Sequence, residues 1–264
     1  MNHDSTLSWE RWPIFGTSDE LRRLRLIERA MDPLTIPHLE RVGVGPGWRC
    51  LEVGAGAGSI AAWLADRAGV ANVVATELEP DFLGPLGELG VRVVRHDVTA
   101  DPPVGTGFDL IHARFVMEHL PARADVLRRL AETLAPGGWL LLEEVTFVPS
   151  IAPAPAVARA EAALGQMLRS SVGTDHDWAR CLPLPLDEAG LTETTAEASS
   201  PVARGGTSFA EFIAASYLPA REGMLATGLV TAAELDEVSE LFRDPSFVDF
   251  SFLVIAARGR RPLR

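Results

Sequence analysis

Between residues 49 and 145 the apolar positions of the chain fall into two alternating rhythms. Short runs rich in Val, Leu and Ile at 49–53, 72–78, 91–95, 108–113 and 139–145 predict buried strands. Between them the spacing changes to that of helices. Over 59–68, Ile60, Trp63, Leu64 and Ala68 mark one face and Gly69 supplies the stop; over 121–135, Val126, Leu127, Leu130 and Leu134 do the same before Pro136-Gly137-Gly138. Strand and helix repeated in this way predict an α/β fold, a parallel sheet with helices on both faces, because a parallel crossover needs a helix to span it. Upstream, Thr17 with Glu20 forms a capping-box pattern for a helix expected to end at Asp32, ahead of Pro33.

After Val145 the rhythm changes. Residues 150–182 hold a Pro/Ala-rich entry, a helix carrying Val157, Leu164 and Leu168, and the polar turn GTDHDW. Ser208 with Glu211 and Thr231 with Glu234 are two further capping-box patterns, heading helices that carry Phe209, Phe212 and Ile213, then Leu235, Val238 and Leu241. The aromatic and β-branched run 247–257, FVDFSFLVIAA, is expected as one strand that closes the sheet together with 191–202. The expected organisation is an N-terminal helical cap over 1–45 and a main domain over 46–264 with lid insertions at about 150–182 and 206–230. The 151–180 stretch is expected to be mobile without ligand.

Composition narrows the partners. A chain of 264 residues, 47% of them apolar, can bury a large core, and its net charge of -12 repels phosphate backbones and anionic lipid over most of the surface. Nucleic acid and membrane are therefore not the expected partners. Cys50 and Cys181 stand alone, without the spacing of a zinc site or a disulfide framework, which fits a reducing cytoplasm. No leader pattern and no run near the roughly 18 apolar residues of a membrane span is present, so a soluble, unprocessed, cytoplasmic protein is expected. No metal is expected either: Asp175-His176-Asp177 is a polar triplet, but adjacent residues point in different directions, and such a triplet before Trp178 reads as a helix cap.

Candidate chemistry begins at LEVGAGAGS, residues 51–59, where Gly54, Gly56 and Gly58 join the first strand to the next helix. A bare turn there lets a ligand approach the backbone and exposes helix N–H groups. A nicotinamide dinucleotide site would prefer GxGxxG, whereas here position 59 is Ser. Glu52, two residues ahead of the first glycine, suits an ammonium group better than a pyrophosphate. Glu77, at the end of the second strand, can accept both hydroxyls of a ribose. Ribose beside a cationic amino acid points to S-adenosylmethionine (SAM).

These stretches, with VVATELEP, VRHDV, FDLIHARFVMEHLP and LAPGGWLLLEE following in order, resemble the class I, Rossmann-like SAM-dependent methyltransferases, and the whole shape is similar to small-molecule enzymes of bacterial secondary metabolism. The resemblance implies a seven-stranded sheet whose last strand runs antiparallel. It implies that Glu52 meets the methionine amino group directly or through water, that Gly54, Ala55, Gly56 and Gly58 pass beneath methionine and ribose, and that Glu77, with Leu78 beside it, holds the ribose. Asp97 and the Val98 amide would meet the adenine, and Ala113 and Arg114 would border the methionine end. The implied activity is methyl transfer to an O, N or C atom of a small organic molecule, with a homodimer compatible. A non-catalytic SAM-binding partner or sensor shares the same motifs, and a nicotinamide dehydrogenase is the remaining alternative, although it gives Asp97 no role.

If the acceptor must lose a proton, His176 in the insertion is the first candidate base, with Glu144 in reserve and His119 assigned to local architecture. His112 reads as filler at the end of a buried strand. Asp101-Pro102-Pro103-Val104 resembles the DPPY signature of nitrogen methyltransferases, but it precedes the fourth strand and lacks the aromatic residue. Trp9, Trp12 and Phe15 read as packing under the N-terminal helix rather than a substrate cage.

Overall fold

In the computed structural model, which describes residues 12, 13, 15, 17–148 and 151–263, the alternating segments become β1 Cys50–Val53, α2 Ser59–Ala68, β2 Val73–Glu77, α3 Gly84–Glu88, β3 Arg92–Arg95, β4 Phe108–Arg114, α4 Arg123–Thr133 and β5 Leu134–Phe147. They follow α1, Ser18–Val42. The rest of the chain forms α5 Pro155–Ser171, α6 Leu184–Glu188, β6 Thr192–Ser199, β7 Ala203–Arg204, α7 Ser208–Ala226, α8 Ala232–Leu241, β8 Val248–Asp249 and β9 Phe252–Arg260. The main sheet has seven strands in the order β3-β2-β1-β4-β5-β9-β6. β1 pairs in parallel with β2 and with β4, β2 with β3, and β4 with β5. β9 runs against β5: Gly137 N–H donates to the Arg261 carbonyl and Val148 N–H to that of Ser251, so one index falls as the other rises. The expected mixed sheet is the observed one. No helix of the described residues is long and apolar enough to cross a membrane.

The chain divides into two compact units. The larger comprises residues 31–144, 178–198 and 255–264. Its central strands β1, β2, β4 and β5 are largely buried, so their apolar residues sort by period two onto the two faces, whereas β3 and β6 are largely exposed. Leu51, Val53, Ile111, Ala113, Leu140 and Leu142 pack with Val126, Leu127 and Leu130 of α4 and Leu186 of α6. Cys50, Ala75, Leu110 and Leu141 pack on the other face with Ile60 and Leu64 of α2, Leu86 of α3, and Leu39 and Val42 of α1. The smaller unit comprises residues 1–30, 145–177 and 199–254. In it, β7 pairs antiparallel with β8, and Phe147, Phe209, Phe212 and Phe252 meet edge-on or stacked at 5.1–6.3 Å between ring centroids.

Four expectations are corrected. α1 does not end at Asp32; it continues through Pro33 and Pro37. The two missing N–H donors weaken it, but Leu39 is fully buried beyond them, and Thr35 and His38 hydrogen-bond to Glu143. The α7 cap is Thr207, whose hydroxyl accepts from Ala210 N–H, and not Ser208; the Thr231/Glu234 capping box of α8 is present as read. β5 starts at Leu134, with Pro136-Gly137-Gly138 forming an irregularity inside it, where a Cβ on Gly138 would stand 2.6 Å from the Phe108 carbonyl oxygen. Finally, 247–257 is two strands, because the chain breaks at Phe250-Ser251, where Ser251 N–H donates to Asp249 Oδ1.

At the N-terminus Trp12 is buried; its Nε1 donates to Glu20 Oε2 at 3.1 Å, and Arg23 lies over its ring. This is the packing role expected of it, while Trp9 lies outside the described residues.

Candidate functional site

The strand order reverses direction between β1 and β4, the place where open parallel sheets leave a crevice beyond their carboxyl ends. The turn 54–58 leaves β1 at that point. Ala55 N–H donates to the Thr76 carbonyl at 2.9 Å, and Gly56 N–H donates to Glu77 Oε2 at 2.8 Å. The other Glu77 oxygen accepts from Leu78 N–H at 2.8 Å, so this carboxylate organises the turn and the end of β2 together. Two glycines have packing reasons to be glycine. A Cβ on Gly54, whose φ is +67°, would meet Val116 Cγ2 at 2.5 Å; one on Gly58, at φ +96°, would meet Leu86 Cδ1 at 2.7 Å. Gly58 thus sits against the Leu86 side chain of α3 at a φ that L side chains rarely adopt, a reason the sequence reading did not supply.

Period two carries a polar row onto one face of the sheet. Two residues beyond Cys50, Leu110 and Leu141, all of the α2 face, stand Glu52, His112 and Glu143. Glu52 and His112 are register partners across β1 and β4. His112 Nδ1 lies 2.9 and 2.8 Å from the two Glu52 oxygens, and Nε2 lies 3.6 Å from Glu143 Oε2. Glu143 in turn receives His38 Nδ1 at 2.6 Å and the Thr35 hydroxyl, both from α1. Glu52, His112 and Glu143 are 3%, 0% and 1% exposed, so bulk solvent does little to screen their charges. Burial by itself would lower the His112 pKa, but the charges and hydrogen bonds of Glu52 and Glu143 override it and raise it to about 9. Burial opposes ionisation of Glu143, yet His112, His38 and Thr35 hold it well below the usual carboxylate range.

Arg114, at the end of β4, continues the row. Its Nη1 donates to Asp32 Oδ1 and Thr35 Oγ1, each at 2.9 Å, and Asp32 also accepts from the Ser59 hydroxyl at 3.1 Å. Ala113 is fully buried in the opposite face. Asp97 closes a tight turn: its Oδ1 accepts from Thr99 N–H and Oγ1, while its own N–H donates to Asp101 Oδ2 at 2.8 Å. Arg129 holds the Val98 carbonyl from α4.

The three candidate bases have different surroundings. Glu144, fully buried, accepts from Met117 N–H at 2.9 Å and Glu118 N–H at 3.1 Å, so it braces the loop after β4 and has no oxygen free of a backbone donor. Burial pushes its pKa to about 7 against those amides and Arg123. His119 Nε2 lies 3.6 Å from Glu118 Oε1 in the same short 3-10 turn, a place consistent with an architectural role. His176 belongs to the smaller unit, edge-on to Phe147 at 4.8 Å. Burial and the Arg169 charge lower its pKa to about 4, against Asp175 and Asp177, so at neutral pH it is an uncharged imidazole and a weak base. Asp175 and Asp177 lie 3.6 and 3.4 Å from Arg169, and the described residues contain no group of three His, Cys, Asp or Glu placed to hold a metal ion.

A family model described as a methyltransferase domain matches residues 18–175. The chain belongs to this methyltransferase-domain family. It is similar to methyltransferase str2 of Strobilurus tenacellus, 33% identical over 64% of this chain and 63% of that one, and to methyltransferase GfsG of Streptomyces halstedii, 34% identical over 51% and 49%. The matched region thus spans less than two thirds of these relatives' length. Among solved structures, the cyclopropane synthase MmaA2 of Mycobacterium tuberculosis shares the fold, with a TM-score of 0.62 at 17% identity, covering 97% of this chain and 100% of the other.

In this methyltransferase domain the sequence reading singled out Glu52 and Glu77 as site candidates, read His112 as strand filler, and did not anticipate the contacts of Glu143 with His38 and Thr35. A signal was available for His112 and Glu143. Three neighbouring strands each place a titratable residue two positions after an apolar residue of the same face. The α1 pair was hidden by the expectation that Pro33 ends the helix.

Proposed function

We propose that this protein transfers the methyl group of SAM to an O, N or C atom of a small organic molecule. The observation that carries the reading is the turn 54–58 at the reversal point of the sheet, held by Glu77 beside a buried acid, Glu52. The residues fit the cofactor: an ammonium-bearing ligand suits a polar row in which two carboxylates enclose one imidazole. SAM supplies an electrophilic methyl on a sulfonium, and the protein's part is alignment and exclusion of water. In this reading Glu52 receives the amino group, the backbone at Gly54, Ala55, Gly56 and Gly58 lies under the methionine and ribose, and Glu77, with Leu78 beside it, turns from the loop amides to the ribose hydroxyls. Asp97 and Val98 meet the adenine, and Ala113 and Arg114 border the methionine end.

The test is calorimetry with S-adenosylhomocysteine (SAH) and with NAD, followed by incubation with methyl-labelled SAM and a metabolite extract. SAH heat, no NAD heat and a labelled small molecule are expected. NAD binding without SAH binding removes the reading; SAH binding with no labelled product favours a non-catalytic SAM-binding role.

A further inference from the structure

The buried row Glu52–His112–Glu143 is more than a packing solution. Each ring nitrogen of His112 faces a carboxylate: Nδ1 lies within hydrogen-bond distance of both Glu52 oxygens, and Nε2 lies 3.6 Å from Glu143. A neutral imidazole has one N–H, so one of its two faces would turn a lone pair toward an anion. An imidazolium presents a donor to both. Counting Glu52, His112 and Glu143 alone, one net negative charge then remains among these buried side chains.

Resting on the proposed function, we infer that His112 is a positioning residue for the amino-acid end of the cofactor: a buried imidazolium, anchored through Glu143 to His38 and Thr35 of α1, that fixes the Glu52 carboxylate for an incoming ammonium. The groups that face it are few. Glu52 comes from β1, Glu143 from β5, and His38 reaches Glu143 from α1; Arg114, next but one on β4, is turned to Asp32 and Thr35. The residual negative charge supplies a physical reason for selecting a cationic amino acid at this point. It also makes a linkage prediction. A ligand ammonium that shares Glu52 with His112 must weaken the hold of the imidazolium on its proton.

The experiment uses the wild-type chain labelled with 15N-histidine and follows the His112 ring nitrogens by NMR from pH 6 to 10, alone, with SAH, and with methylthioadenosine, which lacks the amino-acid group. Both nitrogens are expected to be protonated at pH 7.5 in the free protein. SAH is expected to lower the titration midpoint by about half a pH unit or more, and methylthioadenosine to leave it in place. A neutral ring at pH 7.5, or a midpoint unmoved by bound SAH, overturns the proposal. His112→Gln, if folded, is expected to weaken SAH about tenfold or more while changing methylthioadenosine by less than about threefold; equal losses for both ligands also overturn it. Should the wild type bind neither ligand, the cofactor reading fails and this inference falls with it, an outcome distinct from binding without a shift.

Discussion

The two units each bury acidic side chains, and they compensate them in different ways. In the larger, Glu52 and Glu143 flank His112, a cation that arrives on the neighbouring strand by register. In the smaller, Glu161 of α5 and Asp249 of β8 share the Ser251 hydroxyl, with no imidazole or guanidinium interposed among the described residues, and Tyr217 of α7 is held un-ionised by burial and by both acids. The outcomes diverge. Glu143 is driven to stay ionised, whereas burial and the Asp249 charge, only partly offset by Ser251, push Glu161 up to about 8. Among the described residues neither Glu161 Oε2 nor His112 Nε2 has a hydrogen-bond partner, but Nε2 has the Glu143 charge 3.6 Å away. Similar exposure therefore does not fix the charge of a buried acid; the nearest counter-charge does.

The sharpest way to break this contrast is to remove the cation. His112→Leu fills the space but leaves two buried carboxylates facing each other, and removing one partner of a buried ion pair costs about 3–5 kcal/mol. Urea denaturation at pH 7 should show a loss of that size. A loss under about 1 kcal/mol would mean that Glu52 and Glu143 are already neutral, and the contrast between the units would vanish.

A second prediction separates the units by pH. Glu161 has a folded pKa above its ordinary 4.5, so the folded state binds its proton more tightly, and its contribution to stability is full below pH 4.5 and lost as pH rises to about 8. The His112 contribution has the same sign but a later window: full below pH 6.5 and lost as pH rises through about 9. Glu143 adds loss on the acid side, because its folded pKa is depressed. Glu161→Gln should therefore stabilise the protein by on the order of 3 kcal/mol at pH 8.5, with little effect at pH 4.5. Thermal unfolding of both proteins at the two pH values checks this. Equal melting temperatures at pH 8.5 would show that the carboxyl ionises freely and that the cluster is hydrated.

These clusters also mark how far the sequence could be read. Strands β1, β2 and β4 were legible because burial makes each a dense apolar run, and Gly69 bounds α2 by its conformation. Glu77 was legible because it ends its strand beside a glycine turn. Asp249 and Ser251 were not: inside FVDFSFLVIAA two polar residues look like the exposed half of an alternating strand, yet they are 2% and 0% exposed and break that strand in two. His112 was passed over for a related reason. Its partners lie 60 residues back and 31 residues on in the chain, and no local pattern links them.

The smallest effect tests the hydroxyl that takes the place of the missing cation. Ser251 Oγ contacts both Glu161 Oε1 and Asp249 Oδ2, and its N–H donates to Asp249 Oδ1 at 3.0 Å. A hydroxyl has one proton, so it can donate to only one of the two carboxyl groups at a time. Ser251→Ala removes that bridge and keeps the backbone donor. The expected cost is about 1–2 kcal/mol at pH 6, the worth of a buried hydrogen bond to a charged group, and clearly below that of His112→Leu. Because the Ser251 hydroxyl lowers the Glu161 pKa, its loss should also extend the decline of stability, which starts near pH 4.5, to a higher pH. A cost equal to that of His112→Leu would show that the hydroxyl compensates charge as strongly as an imidazolium, and the distinction between the two clusters would not stand.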